Sequence, residues 1–104
     1  MSDAGCEVVT KVKIRTDIKE PPKFSVVLLN DNATSVDFVI QLLMDVFSYG
    51  FDEAAALTMQ IDQQGSGVAA SGLSKELATH LRDLCFVKAE AAQFPLQTEI
   101  REEK

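Results

Sequence analysis

The chain has 104 residues, 46% of them apolar, with 16 Asp and Glu against 10 Lys and Arg for a net charge of −6, and it carries two Cys, one His and no Trp. That length fits one small acidic domain, able to bury roughly 60–70% of its unfolded surface without disulfides or a metal, and it excludes a multi-domain enzyme. No Lys or Arg occurs from Phe24 to Ser74, whereas Asp31, Asp37, Asp45, Asp52, Glu53 and Asp62 all lie there. A phosphate-tracking surface cannot be built from such a stretch, so nucleic acid is a poor partner and a cationic ligand a better one.

Residues 1–22 are mixed and polar and end in Glu20-Pro21-Pro22, which forbids a helix across the join, so they read as a flexible tail ahead of a core domain at 23–104. Phe24 to Leu29 (FSVVLL) is short, apolar and partly β-branched, a buried strand bounded by the turn residues Asn30-Asp31-Asn32. Thr34, three residues before Asp37, predicts a capped helix start. Val36, Val39, Ile40, Leu43, Val46 and Phe47 then recur on one helical face, which Phe38 and Leu42 widen.

Gly50 is the expected left-handed end of that helix, and Asp52 the expected cap of a second, which carries Ala55, Leu57, Thr58, Met59 and Ile61 up to Gly65-Ser66-Gly67. Val68 to Ser71 is a weak strand candidate. Ser74 caps a third helix with Leu77, Leu81, Leu84, Cys85 and Lys88 on one face, running to about Ala92. After Pro95, Leu96, Thr98 and Ile100 alternate with Gln97, Glu99 and Arg101 as in a half-exposed strand. The order β-α-α-β-α-β predicts an α+β fold of one small sheet with packed helices.

Little here supports catalysis. His80 has no nucleophile at a motif distance, and Cys6 and Cys85 lack the spacing of a disulfide, zinc or redox motif, which fits a reducing compartment. Gly65-Ser66-Gly67 lacks the Lys-Ser/Thr of a phosphate loop and reads as a turn. The N-terminus lacks the pattern of a signal peptide and no apolar run approaches the ~20 residues of a membrane span. The expectation is a cytoplasmic, monomeric, non-enzymatic protein with no cofactor and no membrane or nucleic-acid partner. Asn30-Asp31-Asn32 and Asp62 remain: ordinary turn chemistry explains the first three as well as a site does.

Pro21-Pro22-Lys23-Phe24-Ser25-Val26-Val27-Leu28-Leu29-Asn30-Asp31, then Thr34 and Phe38-Val39, resembles the ClpS family of bacterial adaptor proteins, whose usual pattern is PP-x-Y/F-x-V-x-L-x-NDD-Y/F-T-P-M-E-F-V. Phe47-Ser48-Tyr49, Gln64-Gly65, Ser74-Lys75-Glu76-Leu77-Ala78 and Pro95-Leu96 continue the likeness in register, over about residues 21–101. The resemblance implies a three-stranded antiparallel sheet packed on three helices. It further implies binding of proteins that begin with Leu, Phe, Tyr or Trp (N-degrons) and their delivery to a ClpA- or ClpC-type unfoldase of the ClpP protease.

By the same resemblance Asn30 accepts from the substrate's α-amino group, Asp31 shapes the loop around the ligand backbone, and Thr34, Val39 and Leu96 line a side-chain pocket, with Ile61 counted among them. The family's second loop aspartate is Asn32 here, and its ammonium-contacting histidine is Asp62, so a carboxylate moves from loop to helix. Val36 and Thr58 replace two methionines of the pocket, predicting a wider cavity. Glu76 matches a position used to dock on the unfoldase's N-terminal domain, although Leu81 stands where a Lys is usual. The tail, with Lys11, Lys13, Arg15 and Lys19, corresponds to an extension that engages the unfoldase. Two alternatives stand beside substrate delivery: a divergent regulator that occupies the unfoldase without binding N-degrons, and, by fold analogy, a ribosomal stalk-like domain.

Overall fold

A computed structural model of the chain describes residues 21–103, so the tail expectation lies, apart from Pro21 and Pro22, outside the described residues. Strand β1 (Phe24–Leu29), helices α1 (Val36–Phe47) and α2 (Phe51–Gln64), strand β2 (Ser66–Leu73), helix α3 (Lys75–Ala92) and strand β3 (Gln97–Glu102) follow the predicted order. The three strands form one antiparallel sheet in the order β2-β1-β3. The most apolar strand thus takes the centre, with Ser25 to Leu28 all buried. Leu29 pairs with Ser66 on one side and with Gln97 on the other, which brings the start of both outer strands to the end of β1.

Helix α1 lies across the core through Val39, Leu42 and Leu43, beside Leu28, Ala54, Ile61 and Leu96. Phe38 meets Phe94 with ring centroids 5.0 Å apart at 52°, a tilted aromatic contact that ties α1 to the turn leading into β3. Helix α3 corrects the expected face. Its buried residues are Ala78, Cys85 and Ala89, whereas Leu77 and Leu84 are 45% and 37% exposed. Small side chains let the helix backbone approach the sheet closely, so the leucines are turned outward. Burial pushes the Cys85 thiol up to about 11, which leaves it a protonated core residue at neutral pH.

The helix ends also differ from expectation. Ser35, not Thr34, caps α1: its hydroxyl oxygen accepts from the Phe38 N–H at 3.1 Å, because the Thr34 hydroxyl is drawn to the charged Asp31 carboxylate. Ser48, not Gly50, takes the left-handed end of α1, with φ 61°. The chain turns there because Tyr49 must fold back, donating its hydroxyl to the Ala69 carbonyl at 2.7 Å. Gly50 becomes the extended cap of α2, its N–H donated to the Glu53 carboxylate at 3.3 Å, and Asp52 falls within the first turn, where it favours the helix dipole. The weak strand of the sequence reading is a full one of eight residues.

Strand β2 meets α2 at Gly67. A Cβ there would stand 2.7 Å from Ile61 Cγ1 and 2.8 Å from Leu57 Cδ1. Gly67→Ala therefore overpacks the α2–β2 contact and should cost ~1–3 kcal/mol in urea denaturation. A variant as stable as the parent would show that this close approach is not a constraint.

Candidate functional site

The end of β1, the loop after it, the first turns of α1, the last turns of α2 and the residue before β3 meet around one cavity of about 210 Å³. Each element contributes for a local reason. The loop delivers Asn30, Asp31, Asn32 and Thr34; Val36 and Val39 are one turn apart on α1; Thr58, Ile61 and Asp62 share one face of α2 at i, i+3 and i+4. Leu96 closes the wall where the chain enters β3. All ten residues that the sequence reading grouped around a peptide N-terminus and its side chain line this cavity, and Leu29 joins them. Leu29 was legible only as the last residue of an apolar run.

The cavity is divided chemically. Val39, Thr58, Ile61 and Leu96 are all buried and form its wall. Thr58 donates its hydroxyl to the Ala54 carbonyl at 2.7 Å, so its polar atom is satisfied within the helix and it behaves at the wall as a small apolar residue. Asn30, Asn32 and Asp62 are exposed and Asp31 partly so; Val36, 57% exposed, stands at the rim. No basic side chain lines the space, while two carboxylates do. At about 210 Å³ the cavity is smaller than the ~300–1,000 Å³ of pockets for drug-sized ligands and suits one side chain.

The loop is held from both ends. Gly65, left-handed at φ +91°, ends α2 by donating its N–H to the Ile61 carbonyl and accepts the Asn30 N–H at 2.9 Å. That bond joins the end of α2 to the start of the loop. The Asp31 carboxylate accepts from the Thr34 hydroxyl and from the Ala33 N–H at 2.9 Å. These bonds favour its charged form and hold its carboxyl below the usual carboxylate range. Asp62 differs: among the described residues its carboxylate has no hydrogen bond or ion pair, so it is the uncommitted carboxylate at the rim.

Glu76 is not brought to the cavity. It sits in the first turn of α3, beside a shallow open depression it shares with Lys75, Thr79, His80 and Asp83. Among the described residues, no three His, Cys, Asp or Glu side chains gather as a metal would require, and no helix is long and apolar enough to cross a membrane.

The family model of the ATP-dependent Clp protease adaptor protein ClpS matches residues 19–99 of the chain. The chain belongs to the ClpS family. The Clp protease adapter ClpS of Campylobacter jejuni is 34% identical over 94 residues, covering 90% of this chain and 97% of the relative. That of Wolinella succinogenes is 33% identical over 98 residues, covering 94% and 95%. The structure of Agrobacterium tumefaciens ClpS2 bound to L-phenylalaninamide superposes with a TM-score of 0.78 at 27% identity, over 81% of this chain and 100% of that one. ClpS membership sets aside the stalk-like alternative.

The sign of the Asp31 titration follows from its hydrogen bonds. Its folded carboxyl titrates below the ordinary value of 3.8, so the loop contribution is complete above that value and is lost only as pH falls through the lower folded one. Thr34→Val removes the principal donor and should move the Asp31 midpoint up toward 3.8, read by carboxyl-carbon NMR. An unmoved midpoint would refute the assignment of Thr34 as that donor.

Proposed function

We propose that this ClpS-family chain binds proteins through a free, bulky hydrophobic first residue (Leu, Phe, Tyr or Trp) and delivers them to a ClpA- or ClpC-type unfoldase in the cytoplasm. The observation that carries the reading is the division of the cavity into a buried, largely apolar wall and a base-free rim with an uncommitted carboxylate at Asp62. An N-terminal residue has the complementary chemistry. Its α-amino group, with a pKa of about 7.7–8.0, is mostly an ammonium at neutral pH with three donors to satisfy, and its side chain begins one carbon away.

Asn30, its own N–H already bound by Gly65, is positioned to offer its side-chain carbonyl to that ammonium, and Asp62 its carboxylate. Asp31 acts through the loop, since its oxygens are engaged by Ala33 and Thr34. The relative seen with L-phenylalaninamide supports the reading, because that molecule presents a free amino group, a Phe side chain and an amide in place of a peptide bond. Burying a Phe or Leu contributes ~1.5–3 kcal/mol and each charge-assisted hydrogen bond ~1.5–3 kcal/mol. After the cost of association, micromolar affinity, about 8 kcal/mol, is the natural scale for an adaptor that must release its cargo. The function asks for binding and hand-off, with no bond made or broken. Glu76, on the outward side of α3, is the proposed contact with the unfoldase. A side-chain-sized cavity with a buried wall and an open, acidic mouth favours delivery over a regulator that has lost substrate recognition.

Fluorescence anisotropy with a Phe-initiated peptide should give micromolar binding that N-acetylation weakens about tenfold or more, with a similar loss in Asp62→Ala. Equal affinity of the free and acetylated peptides would overturn the reading, and an unaffected Asp62→Ala would remove Asp62 from it.

The pocket wall bears on selectivity. Val36 and Thr58 are short and β-branched, and Thr58 cannot lengthen to meet a small ligand. Peptides beginning with Ile or Val should therefore bind within about a hundredfold of the Leu peptide, since a close-fitting wall is what rejects a branched side chain more strongly. Poorer binding than that would show the wall to be tight.

A further inference from the structure

Among the described residues the sheet has two free edges, the outer sides of β2 and β3. They differ in their surroundings. The eight residues of β2 carry no charge. Beside β3 runs a groove of about 690 Å³, walled by Phe86, Ala89 and Phe94 and reached by Gln97, Thr98 and Glu99 in succession. Side chains of successive strand residues point to opposite faces, so a groove that all three reach opens on the edge of the strand. Thr98 bonds the Cys85 thiol and therefore faces α3, which puts Glu99 on the opposite, open face of the sheet. Phe86 is 60% exposed on the helix side of the groove. A strand added to this edge needs apolar side chains toward Phe86 and Phe94 and polar or basic ones beside Glu99.

Residues Val8–Thr16 (VVTKVKIRT), which lie outside the described residues, have that pattern in sequence. Val8, Thr10, Val12, Ile14 and Thr16 alternate with Val9, Lys11, Lys13 and Arg15, and six of the nine are β-branched. Such alternation is the signature of a strand with two unlike faces. The chain also enters the domain at the right place. The Glu103 N–H is donated to the Lys23 carbonyl at 2.7 Å, so the residue before β1 lies at the far end of β3. A strand outside β3 stands two strand spacings, about 10 Å, from β1. Residues 17–22 reach up to about 20 Å when extended, enough to pass the end of β3 if the segment runs parallel to it, with Thr16 near Glu102.

We propose that Val8–Thr16 docks on the chain's own domain as a fourth strand along the outer edge of β3, with Val12 and Ile14 in the groove and Lys11, Lys13 and Arg15 on the open face beside Glu99. Strand β2 is the poorer seat, because its uncharged residues offer the basic face no partner. Docking covers Phe86 and closes an edge that would otherwise pair with other chains. It does not depend on what the smaller cavity binds.

The test uses the full chain without peptide. The outward amides of β3 should exchange ~10-fold or more slowly in the parent than in Val12→Asp/Ile14→Asp, and Phe86→Ser should lose part of the same protection, while the amides of Val26 to Leu28 are unchanged in all three. Equal exchange in the parent and the tail variant would overturn the proposal. A second measurement locates the segment. The Cys85 thiol is buried, so a thiol-reactive spin label attaches at Cys6 and should broaden the resonances of β3 and Phe86 within the same molecule. Broadening along β2 would overturn the choice of edge. Broadening seen only between labelled and unlabelled chains in a mixed sample would assign the edge to a second copy, and would overturn the proposal as well.

Discussion

One backbone hydrogen bond organises the site: the Asn30 N–H donated to the Gly65 carbonyl. It spans the end of α2 and the start of the β1–α1 loop, two segments that the sequence separates by an entire helical hairpin. Gly65 can make it because its left-handed conformation, with φ +91°, turns the chain sharply out of α2 and into β2, and a residue with a Cβ would be strained there. Once the bond is in place, Asp62, three residues upstream on the last turn of α2, faces the loop that carries Asn30 and Asp31. The polar rim of the cavity is thus a consequence of how one helix ends.

The loop's own hydrogen bonds then sort two similar carboxylates into different tasks. Asp31 stays charged, but its oxygens are engaged by a hydroxyl and an amide that it holds as a loop staple. Asp62 sits on a helix, exposed, with no such neighbours among the described residues. Beneath them Val39, Ile61 and Leu96 belong to the cavity wall and to the hydrophobic core at once. A rigid floor follows, since a side chain in contact with the core cannot move without opening a void.

The same economy shapes α3. With Ala78, Cys85 and Ala89 turned inward the helix lies close over the sheet, and its leucines and Phe86 are left for the outer surface and the groove beside β3. Periodicity ranked Leu77, Leu81 and Leu84 above alanines because hydrophobicity favours large side chains. Close packing favoured small ones.

Element order, fold class, the Ser74 cap and the central place of FSVVLL were all legible in the chain, because strand and helix patterns and punctuating Gly, Pro, Asn and Ser act locally. Likeness to a family also grouped the ten cavity residues, though Leu29 escaped it. The caps at Ser35, Ser48 and Gly50 were not legible: competing hydroxyls and glycines stood within a residue or two of one another, and distant partners chose among them. Thr34 went to Asp31, and Tyr49 to the Ala69 carbonyl. By itself the sequence determined an acidic α+β chain with no base between Phe24 and Ser74, since composition and periodicity need no partner to be read. Only the tertiary structure decided that Asp62 is the cavity's uncommitted carboxylate and that α3 buries its small residues. Each of these depends on contacts between segments far apart in the chain.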